Sequence, residues 1–329
     1  MSHSSLASLL DVDLQPGKPP LVRADAGGNA AQWSAAHREA LRAVVTEHGS
    51  ALVRGLGLRD AAGTAAVFGQ LTGRLMAERE AFAPRQAYPQ SQPGGTLYSV
   101  TPWPPNQQMC MHHELSYRLE LPRLMLFACL QAPGSGGATP VADAAAVLGA
   151  LPASLVQRFE REGWLLVRNY TGDFGASLEE AFGTDDRDAV EQYCRASSIG
   201  FEWHPDGVLR TWQRRPAVVR HPVTGQRCWF NQIAFLNERT IDPEVREYLA
   251  DMYGEDGLPF TTRFGGGDPV GEDVVQVIND TYDRHTAREA WQAGDLLLVD
   301  NIRSAHGREP FQGPREVLAG LGDPIRTAR

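Results

Sequence analysis

Two apolar runs of strand length, Leu124–Leu130 (LMLFACL) and Leu296–Val299 (LLLV), stand far apart in the chain with helical patterns between them. Both read as buried strands. Further strand-like stretches lie at Ala51–Arg54 near the start and at Ala287–Trp291, Ala305–Arg308 and Arg315–Leu321 near the end. Strands at both ends with helices inserted between them suggest one β-rich α+β domain, a double-stranded β-helix (jelly roll) with helical decorations. Regular βαβ alternation is missing, and no G-x-G-x-x-G follows a strand, so a Rossmann dinucleotide site is unsupported.

Between the ends, helices are predicted at Trp33–His48, Asp60–Leu71, Ala144–Leu151, Ser154–Glu162, Leu178–Phe182, Pro243–Met252 and Val270–Arg284. Short strands are predicted at Trp164–Asn169, Leu209–Gln213, Ala217–Arg220 and Cys228–Phe230, and residues 82–108 are Pro-rich and loop-like. The organisation expected is a flexible leader over 1–30, then one domain over 31–329 with helical insertions at about 144–200 and 240–285. The jelly-roll core of that domain is expected to carry an N-terminal helical and strand extension.

Charge and residue usage remove several function classes. The formal net charge is −9, which argues against a nucleic-acid surface. The first residues lack the charged start and long apolar run of a signal peptide, and no stretch approaches a membrane span; a cytoplasmic protein is expected. Lys18 is the only lysine, in QPGKPP. Followed by Pro19, it cannot complete a P-loop, and it is a poor Schiff-base candidate. Cys110, Cys129, Cys194 and Cys228 lack zinc-ribbon spacing and are expected to be reduced thiols.

The nine histidines carry the chemistry. A histidine followed two residues on by an acid occurs at His37/Glu39, His112/Glu114 and His204/Asp206, and chance alone gives about one such match for 40 acids in 329 residues. His37 and Glu39 sit in a helical pattern, where i and i+2 face apart. His204-Pro205-Asp206-Gly207 is turn chemistry. His112 and Glu114 follow a strand-like MCM, and on a strand i and i+2 share a face, so both could reach one ion. With a distant histidine such as His306 they would form a two-His-one-carboxylate set that leaves adjacent positions open on Fe(II). Arg315, nine residues later, suits a dicarboxylate because a guanidinium grips a carboxylate bidentately.

Taken in order, H-x-E at 112–114, Gly136-Gly137-Ala138-Thr139, and the segment from Trp291 through Gly294-Asp295, Asp300-Asn301 and His306-Gly307-Arg308 to Arg315 resemble the TauD/TfdA family of Fe(II)/2-oxoglutarate-dependent dioxygenases. The stretches HHELSY, GSGGATPVADA and DNIRSAHGREPF are similar to the branch of the syringomycin-pathway hydroxylase and the clavaminate-synthase-like enzymes. The resemblance runs from about Asn106 to Asp323. It implies that His112, Glu114 and His306 hold Fe(II), that Thr139 and Arg315 bind 2-oxoglutarate, and that O2 is the second cosubstrate. Glu114 stands where Asp is commoner, and Ala319 stands where many members carry a second arginine, so Arg308 is a second cosubstrate candidate. Asn231, Tyr117 and Arg118 are the substrate-side candidates.

The implied activity is hydroxylation of an unactivated C–H bond in an amino acid or amino-acid-derived small molecule, free or tethered to a carrier protein, in specialised metabolism. No nucleic-acid or membrane partner is expected, and the sequence is silent on oligomeric state. Two rival readings of the same residues stay open at this level: a zinc-dependent hydrolase using the three ligands, and a non-catalytic jelly-roll binding protein with structural histidines. Asp143 reads as the cap of the helix that follows it.

Overall fold

The computed structural model describes residues 10–88, 96–172, 175–205 and 207–326. Its largest sheet has eight strands in the order Val12–Asp13, Leu21–Arg23, Ser50–Arg54, Leu296–Asp300, Glu120–Gln131, Glu316–Arg326, Leu97–Ser99 and Ala87–Tyr88. A four-stranded sheet runs Thr286–Ala287, Val141–Asp143, Ser304–Arg308, Met109–His112, all antiparallel. Together they make the double-stranded β-helix core.

The apolar runs follow from burial on both faces. Successive side chains of a strand point to opposite sides. Leu124, Leu126, Ala128, Leu296 and Leu298 therefore pack in one cluster with Leu41, Val44, Val67 and Phe68 of the helices Ala30–His48 and Ala61–Leu71. Met125, Phe127, Cys129, Leu297 and Val299 face the other way, into the interior with Phe235, Trp291 and Ile302. A strand covered on both sides has no solvated face and so no alternation.

Two corners link the sheets and set up the site. The chain leaves Leu296–Asp300 in the large sheet, turns, and enters Ser304–Arg308 in the small one. It also leaves Met109–His112 in the small sheet, turns, and enters Glu120–Gln131 in the large one. Each of the first two strands pairs with one of the second two, so the corners lie side by side.

A separate four-stranded sheet, in the order Gly200–Trp203, Leu209–Arg215, Trp164–Tyr170, Phe260–Phe264, occupies the middle of the chain. Within the stretches expected to be helical insertions, the strand Phe260–Phe264 and the helix Arg187–Ala196 were not foreseen. The helix buries only Val190 and Cys194, too few apolar positions to show a period. The expected strand Ala287–Trp291 is reduced to Thr286–Ala287. Trp291 is instead buried ahead of a turn closed by Asp295 N–H to Gln292 O at 3.1 Å.

The expected loose leader is corrected for the part that is described. Val12–Asp13 and Leu21–Arg23 extend the large sheet, and Val22 is fully buried. Strands of two and three residues are too short for a sequence pattern to reveal. Asp143 does cap its helix: its Oδ1 accepts from the N–H of Ala145 and Ala146 at 2.9 and 2.8 Å. All four cysteines are free thiols. Among the described residues, no helix is long and apolar enough to cross a membrane.

Candidate metal centre

The strand register puts His112 directly opposite His306. Their rings lie 4.5 Å apart. One nitrogen from each and one oxygen of Glu114 all lie within 4.8 Å of one another, and all three residues are buried. Gly307 lets the two strands close up here, since a Cβ on it would meet the Met109 carbonyl oxygen at 2.8 Å.

Glu114 arrives by a different route from the one its spacing suggested. The strand ends at His112, and Glu114 begins the turn that follows. The next residue, Leu115, has φ of 52°, in the left-handed region that side chains avoid. Asn301 on the neighbouring corner holds this turn. Its Oδ1 accepts the Glu114 N–H at 2.7 Å, and its amide donates to the carbonyls of Glu114 and Pro122 at 2.9 and 2.8 Å. His113 points away, with Nδ1 2.6 Å from the Asn301 carbonyl. The other histidine–acid pairs are not brought together in this way. His37 stacks on Trp33 with Nδ1 at 2.8 Å from the Trp33 carbonyl. His204 sits in a turn, and Asp206 lies outside the described residues.

The ionisation of these groups suits a cation. Nδ1 of His112 faces the Cys110 carbonyl at 2.8 Å, so Nδ1 carries the proton and Nε2 is left as a free lone pair. Burial, reinforced by His306, lowers the His112 pKa to about 3, so the imidazole is neutral. Burial opposes charge on Glu114, but Arg85 and the two imidazoles outweigh it and hold the carboxyl well below its usual range. Arg85 was not foreseen. Its Nη2 donates to Glu114 Oε1 at 2.9 Å, and its Nε lies 3.4 Å from Glu78 Oε1. His306 Nδ1 is a buried nitrogen without a hydrogen-bond partner. Two imidazoles and a carboxylate, buried and converging, fit a divalent transition metal.

A hollow beside this centre is lined by His112, Glu114, His306, Thr139, Arg308 and Arg315, among others. Nε of Arg315 donates to the Gly137 carbonyl at 3.0 Å, and Nη2 donates to Thr139 Oγ1 at 3.4 Å. Gly137 has φ of 70°, and a Cβ there would meet Arg315 Cδ at 3.3 Å, so the glycine turn makes room for the guanidinium. Arg315 has no carboxylate partner among the described residues. Burial, with the nearby charge of Arg308, lowers its pKa to about 10, still fully cationic near neutrality. A buried, unpaired guanidinium calls for an anion.

Arg308 is differently employed. It donates to the carbonyls of Trp103, Pro104, Pro105 and Glu309 at 2.8–3.3 Å. Both of its terminal nitrogens are spent on backbone carbonyls, most of them in the loop over 103–105. Arg308→Ala is expected to cost about 2–4 kcal/mol of stability, read as a lower urea midpoint, with less than about a tenfold change in the KM for 2-oxoglutarate. Ala319 packs in the inner core and offers no second cation.

The substrate-side candidates divide. Tyr117 lines a second hollow against His112 and Glu114, its hydroxyl donating to the Glu80 carbonyl at 2.8 Å. Arg118 lies outside the lining and is directed at Glu80, 3.6 Å away. Asn231 is part of the scaffold: its Nδ2 donates to the Ala217 carbonyl at 3.2 Å, its Oδ1 accepts from the Ile233 N–H at 3.1 Å, and its backbone carbonyl accepts from the His113 N–H.

A family model for the taurine catabolism dioxygenase TauD, TfdA family matches residues 13–321. The chain belongs to the TauD/TfdA family. As a member it is an Fe(II)/2-oxoglutarate-dependent oxygenase, with O2 as cosubstrate. Among curated proteins it is 33% identical over 282 residues to the dapdiamide synthesis protein DdaC of Enterobacter agglomerans, covering 86% of this chain and 84% of that one. It is 29% identical over 245 residues to a clavaminate synthase-like protein of Arabidopsis thaliana, covering 71% of each. Among solved structures, PvcB from Pseudomonas aeruginosa has a similar fold, at a TM-score of 0.52 and 17% identity over 95% of this chain and 89% of that one. A taurine dioxygenase from Burkholderia xenovorans also matches at 0.52 and 17%, covering 96% and 91%. The zinc-hydrolase and binding-protein readings give way to the oxygenase.

Proposed function

We propose that the chain hydroxylates an unactivated C–H bond of an amino acid or amino-acid-derived small molecule, free or carrier-tethered, at an iron held by His112, Glu114 and His306. The observation that carries this reading is the buried convergence of the three side chains beside an unpaired Arg315. With iron bound, and 2-oxoglutarate and O2 supplied, the centre provides an oxidant strong enough to take hydrogen from such a bond, with succinate and CO2 as coproducts. In this reading Arg315 and Thr139 hold a cosubstrate carboxylate. Arg85 engages one oxygen of Glu114 and leaves the other for the metal. The corner residue Asn301 fixes where Glu114 stands, and Phe127 and Phe235 pack against the two imidazoles and keep water away.

The presence of Glu114 favours hydroxylation over halogenation, because chloride needs the position that the carboxylate fills. A relative named for dapdiamide synthesis supports a biosynthetic, amino-acid-like substrate. The test is a screen of amino acids, amino-acid amides and carrier-bound thioesters for stimulated succinate release, followed by product analysis under labelled O2. The expected product gains one oxygen atom from O2. A product that has lost two hydrogens and gained no oxygen would overturn the hydroxylase assignment.

A further inference from the structure

The second hollow beside the metal centre contains a carboxylate that the proposed chemistry does not use and that the fold pairs only with Arg85, among the described residues. Glu78 sits in the segment that follows the helix Ala61–Leu71 and lines this hollow with Phe82, Phe235, Tyr117, Gln232 and the ligands His112 and Glu114. Its side chain is only 7% exposed. No donor among the described residues hydrogen-bonds to it. Arg85 is its ion-pair partner, with Nε 3.4 Å away but making no hydrogen bond, and the charges of Glu114 and Arg118 also act on it. Arg85 spends its Nη2 on Glu114 instead.

Of the other uncharged polar side chains on the lining, Thr101 makes no hydrogen bond to Glu78 and two are committed elsewhere. The Tyr117 hydroxyl donates to the Glu80 carbonyl, and the Gln232 amide donates to the His113 carbonyl at 2.8 Å. A buried carboxylate without a hydrogen bond is costly, and native proteins seldom leave one so unless a ligand supplies the donor. The walls sharpen the choice. Phe82 and Phe235 have ring centroids 5.7 Å apart, and aromatic faces attract cations. Arg85 is the only cationic side chain on the lining, and two acids already claim it, so nothing there would grip a substrate carboxylate. Phe82 and Ala83 also border a larger apolar cavity of about 390 Å³ lined by Trp103, Ile241 and Phe260. A substrate held at the inner hollow therefore has room for an apolar extension leading outward.

We infer that Glu78 is the specificity-determining residue that anchors a substrate ammonium group beside the iron, so that the substrate class is a primary amine whose nitrogen is free. This rests on the oxygenase reading above and narrows it: the amine is read directly, whereas a carboxyl on the substrate is not. An α-ammonium and a side-chain ammonium present the same chemistry to Glu78.

The test uses iron-loaded full-length protein and measures succinate release from 2-oxoglutarate. The panel contains the common amino acids as free acids and as amides, each also as its N-acetyl and α-hydroxy analogue, with lysine and ornithine acetylated singly at either nitrogen. Stimulation is expected only from members with a free ammonium, and the singly acetylated diamines show which nitrogen is read. Glu78→Gln should raise the KM for the stimulating amine by about 30-fold or more, and Glu78→Asp, which keeps the charge, should recover part of that loss. Circular dichroism and Fe(II) uptake establish that the variants are folded and loaded. Equal stimulation by N-acetyl or hydroxy analogues overturns the inference, as does an unchanged KM in Glu78→Gln. Slow substrate-free turnover of 2-oxoglutarate with no ammonium-bearing member stimulating it overturns the inference as well. Absence of any 2-oxoglutarate turnover in the wild type would instead strike the oxygenase reading on which it stands.

Discussion

Arg315→Ala is expected to raise the KM for 2-oxoglutarate by about 30-fold to several-thousand-fold while leaving Fe(II) affinity nearly intact. The guanidinium is largely buried, held in place by the Gly137 carbonyl and Thr139, and free of any acid partner among the described residues. Removing it leaves the dianionic cosubstrate without its counter-charge in a dry site, which costs about 2–5 kcal/mol. Arg315→Lys should recover only part of the loss, because an ammonium cannot reproduce the planar fork. Thr139→Ala removes one long hydrogen bond and should cost less. Initial rates against 2-oxoglutarate concentration, with Fe(II) affinity measured in parallel, decide the matter. An unchanged KM in Arg315→Ala would move the role elsewhere. Arg308 is a weak heir, because both of its terminal nitrogens already donate to carbonyls.

Glu114→Ala is expected to reduce substrate hydroxylation to background. It removes the anionic member of the ligand set and opens a position on the metal that chloride could enter, so trace chlorination in high chloride is the most that should remain. The change also leaves buried Arg85 with Glu78 as its only acid. Uncompensated buried charge is destabilising, so a fall in thermal midpoint should accompany the loss of activity. Glu114→Gln separates the two effects by keeping the side-chain volume. Mass spectrometry of the product mixture reads both halogen and oxygen incorporation. Full hydroxylation by Glu114→Ala would show that its carboxylate does not bind the metal.

Legibility followed chain distance and pattern. The runs around Leu126 and Leu298 announced buried strands because both of their faces are covered, and the H-x-E and D-N-…-H-G-R stretches were short enough to read as units. Arg315 and Thr139 were readable because each sits in a distinctive local context, one of them a glycine turn. Glu114 was singled out by spacing, but the strand argument used for it does not hold: the strand stops at His112, and Asn301 in the other corner does the orienting. Arg85 and Glu78 carried no signal. They fall at the edge of a Pro-rich stretch without periodicity, and their importance arises only when tertiary packing buries them against Glu114. Asn231 illustrates the opposite case. The family resemblance alone made it a substrate-side candidate, and in the fold its side chain bonds backbone groups that would otherwise be left unpaired.

Anaerobic Fe(II) equilibrium dialysis of wild type, His306→Ala and His113→Ala, followed by admission of O2 and a succinate assay, tests whether this three-residue centre is the seat of the chemistry. The expected result is one Fe(II) per wild-type chain with succinate formed, little iron and no succinate in His306→Ala, and iron uptake close to wild type in His113→Ala. A His306→Ala protein that takes up iron and forms succinate as the wild type does would contradict the assignment.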